Sequence, residues 1–187
     1  AFHLATDVRP FVAIGQLLEE RGFTVPALVK SDLDRGLLLL SHLGQDRIVD
    51  EGSEPIAHRY IAAAECLADL HAQQWPETVG LADGSSHRIP RFDAKAMSMG
   101  LSLLPEWWGR ENVLAAVEVE TFYAFWEPVL ENFQNGYRDL VLRDFHSPNI
   151  LWQPGEKGAR RVGLIDFQDA VLGPGAYDLA SIVRDAR

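Results

Sequence analysis

Residues 140–152 read LVLRDFHSPNILW and residues 162–170 read VGLIDFQDA. They set Asp144 five residues before Asn149 and place a second aspartate, Asp166, at the end of an apolar run. Mg²⁺-dependent phosphoryl transfer needs this set of side chains: one carboxylate to orient and deprotonate a hydroxyl, and two oxygen ligands to hold the metal on the nucleotide. Each residue alone is equally a turn former that bonds its own backbone. Three at this spacing, bounded by apolar runs, favour the phosphotransfer site.

The elements that must position them are short. Ile150, Leu151 and Trp152 form one apolar run, residues 153–160 (QPGEKGAR) form a Gly/Pro/charge turn, and residues 162–165 form a second run, which together read as a β-hairpin. Centring it between Lys157 and Gly158 sets Trp152 against Gly163 and Asn149 against Asp166. Facing residues of an antiparallel pair lie about 4.5 to 5.5 Å apart at Cα, so one cation could touch both side chains. Asp144 lies just upstream, across a tight segment whose Pro148 cannot continue a helix.

RDFHSPN, LIDFQDA and the later YDLA at residues 177–180 resemble the aminoglycoside phosphotransferase and choline kinase superfamily, which shares the protein-kinase-like fold. In wording they are most similar to bacterial anomeric kinases of N-acetylmuramate and N-acetylglucosamine. The resemblance implies that Asp144 is the catalytic base and that Asn149 and Asp166 are metal ligands. It makes Arg143 and Asp178 supports of the catalytic loop, with Asp178 acting from a following helix. The cofactors implied are ATP and Mg²⁺, and the partner is a small-molecule hydroxyl acceptor such as an amino sugar or an aminoglycoside. His146 is read as ordering the loop by hydrogen bonding to a carboxylate, with proton carriage as the other role open to it.

The fold class expected is α+β and protein-kinase-like: mainly the helical large lobe with a catalytic β-hairpin, plus a remnant of the small lobe. Residues 1–44 would be that partial small lobe and the hinge, and residues 45–187 the large lobe. The family's histidine two residues before the catalytic aspartate is here Leu142, a change in packing rather than in reacting groups. No Gly-rich phosphate loop precedes the first helical pattern, and the early lysine, Lys30, follows that helix instead of preceding it. The expectation is therefore a piece of a longer protein, cut within the small lobe and weak or inactive alone.

Residues 7–21 carry an apolar stripe through Val8, Phe11, Val12, Ile14, Leu17 and Leu18, closed by Gly22, and read as a helix whose acids form a solvated face. Residues 27–30 and 37–41 flank the turn SDLDRG as a second hairpin. By the resemblance, its second strand runs into the hinge, making Ser41, His42 and Leu43 the adenine-contact candidates, with His42 itself an exposed residue. After the polar stretch 46–55, residues 55–71 read as a long helix with Ile56, Tyr60, Ala63, Ala64, Leu67 and Leu70 on one side and Cys66 as a small buried apolar residue. Residues 72–90 read as irregular. Residues 112–135 read as a helix with Phe122, Phe125, Trp126, Val129, Leu130 and Phe133 as core, kinked or broken at Pro128 and stopped by Gly136. Trp107 and Trp108 sit among turn residues and are read as core or loop packing, with stacking on an acceptor as the alternative.

With 187 residues and 47% hydrophobic content the chain can bury one substantial core. One cysteine excludes an internal disulfide framework, and no apolar run approaches the ~20 residues that cross a membrane. The formal charge of −10 argues against general nucleic-acid binding and fits neutral or cationic acceptors, and the whole-chain properties together suit a cytoplasmic enzyme of small molecules. A nucleotide-binding pseudokinase and a metal-dependent phosphohydrolase are the other classes open to these residues, although the first has no need of Asp144 and the second needs more ligands.

Overall fold

A computed structural model describes residues 7–108, 116–131 and 137–185. The first helix, α1 (Arg9–Glu20), starts where Asp7 accepts the Arg9 N–H and Pro10 occupies the first turn, and it buries Ala13, Ile14, Leu17 and Leu18. A hairpin follows: β1 (Leu28–Asp32) pairs antiparallel with β2 (Leu37–Leu40), with a bulge between Leu28 and Lys30, and Lys30 is exposed. Helix α2 (Ala57–His71) buries Ala62, Ala63, Cys66, Leu67 and Leu70. That face is rotated from the expected one, leaving Ala64 exposed.

The irregular stretch expected over 72–90 contains a third hairpin, β3 (Thr78–Gly80) with β4 (Ser86–Arg88). Its turn holds Asp83, which accepts the Ser85 N–H, and Gly84 at φ 82°. The Asp-Gly pair is a hairpin signal in its own right and corrects the irregular reading. Helix α3 (Ala94–Leu103), capped by the Asp93 carboxylate on the Ala96 N–H, passes into a wide turn over Leu104–Trp108. Helix α4 (Ala116–Glu131) runs on through Pro128, which excludes the break and leaves the kink as the form of the expectation that still applies. The start proposed at Asn112, the side chain of Trp108, Phe133 and the stop at Gly136 lie outside the described residues.

The last four strands are nested. The inner hairpin pairs β6 (Ile150–Trp152) with β7 (Val162–Leu164), and the outer pair joins β5 (Asp139–Val141) to β8 (Val171–Gly173). Between the two ladders the chain opens into two facing loops, residues 142–149 and 165–170, which carry Asp144 and Asp166. Helix α5 (Ala176–Val183) follows β8.

One core joins these parts: Ile14 and Leu18 of α1, Leu67 and Leu70 of α2, and Ile150 and Leu164 of the inner hairpin are all buried. Phe145 and Phe167, each directly after a loop aspartate, are buried with them. Phe167 stacks on Phe11 of α1 with centroids 4.7 Å apart, close against Gly15. The aromatic residues of α4 contribute little: Phe125 is 66% exposed, and Trp107 ahead of it is 72% exposed. Both depart from the expected core role, because the described residues supply no layer over that side of the helix.

Candidate active site

The inner hairpin is in register with Ile150 opposite Leu164 and Leu151 opposite Gly163, one residue from the symmetric expectation. The connection is one residue shorter than that expectation, spanning 153–161, and its short helical turn Gly158–Arg161 leads directly into β7. Asn149 therefore faces Ile165, whose N–H donates to the Asn149 carbonyl at 3.1 Å, rather than Asp166. Asp166 still reaches Asn149, because its backbone enters the left-handed region at φ 60° and turns the chain at that point. The Asn149 amide nitrogen lies 3.4 Å from Asp166 Oδ2 and donates to the Asp144 carbonyl at 3.1 Å. All three predicted residues thus meet where the two loops face each other.

The Asn149 amide nitrogen is engaged with Asp144 and Asp166, which leaves Asn149 Oδ1 as the oxygen that could accept a cation, beside the Asp166 carboxylate. Gln168 donates to the other Asp166 oxygen at 2.7 Å and holds it in place. Among the described residues no three His, Cys, Asp or Glu side chains converge as a metal site. Two hard oxygens suit an ion such as Mg²⁺, which keeps several water or phosphate ligands, so Asn149 and Asp166 fit it in type and number. His146 departs from expectation: Nε2 lies 3.3 Å from the Asn149 amide, not against a carboxylate.

The loop is gripped from behind. Asp178, on α5, accepts the N–H of Leu142 at 2.6 Å and of Arg143 at 2.9 Å. Burial pushes this carboxyl up to about 7, against the opposing pull of those two N–H donors, and the charge of Asp144 adds to the rise. Leu142 itself is buried. Arg143 sits at φ 73°, a second left-handed residue in the site. Sequence reasoning missed a further grip: Asp185 accepts the N–H of buried Ser147 at 3.1 Å and its hydroxyl at 3.2 Å, and also bonds the Tyr60 hydroxyl. Nothing local in the sequence links positions 147 and 185. The two buried phenylalanines were signalled only by the repeated Asp-Phe pair.

Ser41, His42 and Leu43 line a cleft of about 600 Å³ whose opposite side is Pro148, Leu151 and Ile165, neighbours of Asn149 and Asp166. His42 is exposed and its Nδ1 accepts the Gly44 N–H. The Ala27 N–H goes to the Ser41 hydroxyl rather than to the Ser41 carbonyl. Among the described residues, that carbonyl and the Leu43 N–H are both left without a protein partner, an acceptor and a donor two residues apart on the cleft wall.

The sequence profile of the Phosphotransferase enzyme family matches residues 1–187. The chain belongs to this family. Among relatives of this family member, the N-acetylmuramate/N-acetylglucosamine kinase of Caulobacter vibrioides is 32% identical over 188 residues, covering 98% of this chain and 51% of the relative. The enzyme of the same name from Pseudomonas aeruginosa is 30% identical over 184 residues, covering 96% and 50%. The chain spans about half the length of these relatives. Among solved structures, ADP-bound aminoglycoside phosphotransferase APH(2'')-Ib matches with a TM-score of 0.61 at 19% identity, over 95% of this chain and 60% of that one. The GDP complex of aminoglycoside 2'-phosphotransferase-IIIa matches with a TM-score of 0.62 at 16% identity, over 95% and 61%. The expected mixed α and β, kinase-like fold agrees with these matches.

Proposed function

We propose that this phosphotransferase moves the γ-phosphoryl group of ATP onto a hydroxyl of a small molecule, and that the acceptor is an amino sugar. The observation that carries the reading is the meeting of Asp144, Asn149 and Asp166 next to Pro148 and Ile165, which line the cleft shared with Ser41, His42 and Leu43. The Ser41 carbonyl and Leu43 N–H are suited to the donor and acceptor edge of adenine, which leads the phosphates towards Asp166 and Asn149. These two residues would hold Mg²⁺, whose charge offsets that of the phosphate oxygens. Asp144, whose carboxylate takes no hydrogen bond from another described residue, orients the acceptor hydroxyl and receives its proton late in a loose transition state. His146 and Gln168 keep the two ligands aligned. In this reading residues 1–44 are the partial small lobe and hinge, residues 45–187 form the large lobe, and the protein works in the cytoplasm, where ATP is available. Among the described residues no helix is long and apolar enough to cross a membrane.

The relatives' names support the amino-sugar class. The test is ADP formation with N-acetylmuramate, N-acetylglucosamine, aminoglycosides and choline-like alcohols as acceptors. Acceptor-stimulated ADP upholds the reading. Acceptor-independent phosphate release would make the protein a hydrolase, and nucleotide binding without turnover a pseudokinase.

A further inference from the structure

A second cavity, of about 610 Å³, opens between α3, α4 and the start of α5. Phe92, Trp126 and Tyr177 wall it with aromatic surface, and Arg143, the residue before Asp144, is the one charged side chain lining it among the described residues. Phe92 is fixed by its N–H to the Leu172 carbonyl at 2.8 Å and by an edge-on contact with Tyr177 at 5.0 Å. A side chain at Gly173 would meet the Phe92 Cβ at 2.8 Å, so β8 approaches this wall as closely as a glycine allows.

Arg143 is held by its backbone. Asp178 takes its N–H, the Ser181 hydroxyl donates to its carbonyl at 3.4 Å, and the left-handed turn sets where its side chain leaves the loop. The guanidinium itself makes no ion pair and no hydrogen bond with another described residue, in a chain with 27 acidic side chains. The resemblance made Arg143 a support of the loop, yet only its peptide groups serve that end. An unpaired guanidinium fork at the edge of an aromatic cavity suits a ligand with a ring to stack and a carboxylate to take two parallel N–H donors.

Resting on the function proposed above, we propose that this cavity takes the acceptor and that Arg143 selects an acceptor bearing a carboxylate. N-acetylmuramate carries one on its lactyl ether and N-acetylglucosamine does not, so the two sugars isolate the contribution of that group. The expected result is a higher kcat/KM for N-acetylmuramate, with the ratio between the sugars falling by about tenfold or more in Arg143→Gln and partly restored in Arg143→Lys. Tyr177→Ala should raise KM for both sugars and leave KM for ATP in place. An equal fall for both sugars in Arg143→Gln, with a raised KM for ATP, would overturn the proposal and assign Arg143 to the nucleotide phosphates. If neither sugar is phosphorylated, the functional reading fails separately. Calorimetry then decides the subsite: tighter binding of N-acetylmuramate that Arg143→Gln abolishes upholds it, and equal binding of the two sugars overturns it.

Discussion

The buried carboxylate of Asp178 accepts the backbone N–H of Leu142 at 2.6 Å, tying helix α5 to the residue two places before Asp144. Its pKa is raised from 3.8 to about 7, so the folded chain binds this proton more tightly than the unfolded chain. The contribution of this group to stability is greatest below its unfolded value and declines as pH rises towards its folded value. Urea unfolding should show a loss of up to about 1.4 kcal/mol per pH unit between these limits that is absent in Asp178→Asn. Parallel pH profiles of the two proteins would contradict the assignment.

Asp185 grips the same loop from its far side through Ser147. In Asp185→Ala the buried Ser147 N–H and hydroxyl lose their acceptor, and stability should fall by about 1–3 kcal/mol. Hydrogen exchange at Ser147 should quicken more than exchange at Leu142, which Asp178 still holds. Unchanged protection at Ser147 would show that the contact is not maintained in solution.

Gly175 begins the turn into α5 with an ordinary helical backbone, so alanine there strains nothing locally. Its Cβ would, however, lie 2.6 to 2.8 Å from the His71 ring of α2. Gly175→Ala should therefore lower stability by about 1–3 kcal/mol through overpacking. In a double-mutant cycle, thermal melting of Gly175→Ala with His71→Ala should recover most of that loss. Additive losses would mean that the clash lies elsewhere.

Cys66 is fully buried on α2, and burial pushes its thiol up to about 12. It should be inert to a thiol reagent at pH 8 in the native protein and release one equivalent after denaturation. Rapid labelling under native conditions would require α2 to open far more often than its packing implies.

The candidate site was legible in the sequence where its parts are close along the chain. Asp144 and Asn149 share one loop, their apolar flanks mark strands, and Pro148 forbids a helix between them, so local rules carry the reading. The β1 and β2 hairpin and helices α1 and α2 were legible for the same reason, through turn residues and periodic apolar positions. The aromatic stripe of α4 was read as core because periodicity reports which face is apolar, not whether another element covers it.

The sequence by itself determined the family, the candidate groups Asp144, Asn149 and Asp166 and the loops that carry them, since each depends on residue type and short spacing. Tertiary structure alone decided the register of the inner hairpin, whose two strands bond outward to the distant carbonyls of Asp46 and Thr24. It alone decided the burial of Phe145 and Phe167 beneath the two aspartates and the pairing of Ser147 with Asp185 across 38 residues. It also left Arg143 without an acidic partner among the described residues, at the edge of an aromatic cavity. The physical reason is common to all of these: each depends on which distant segment fills the space beside a residue, and nearest neighbours along the chain carry no record of that.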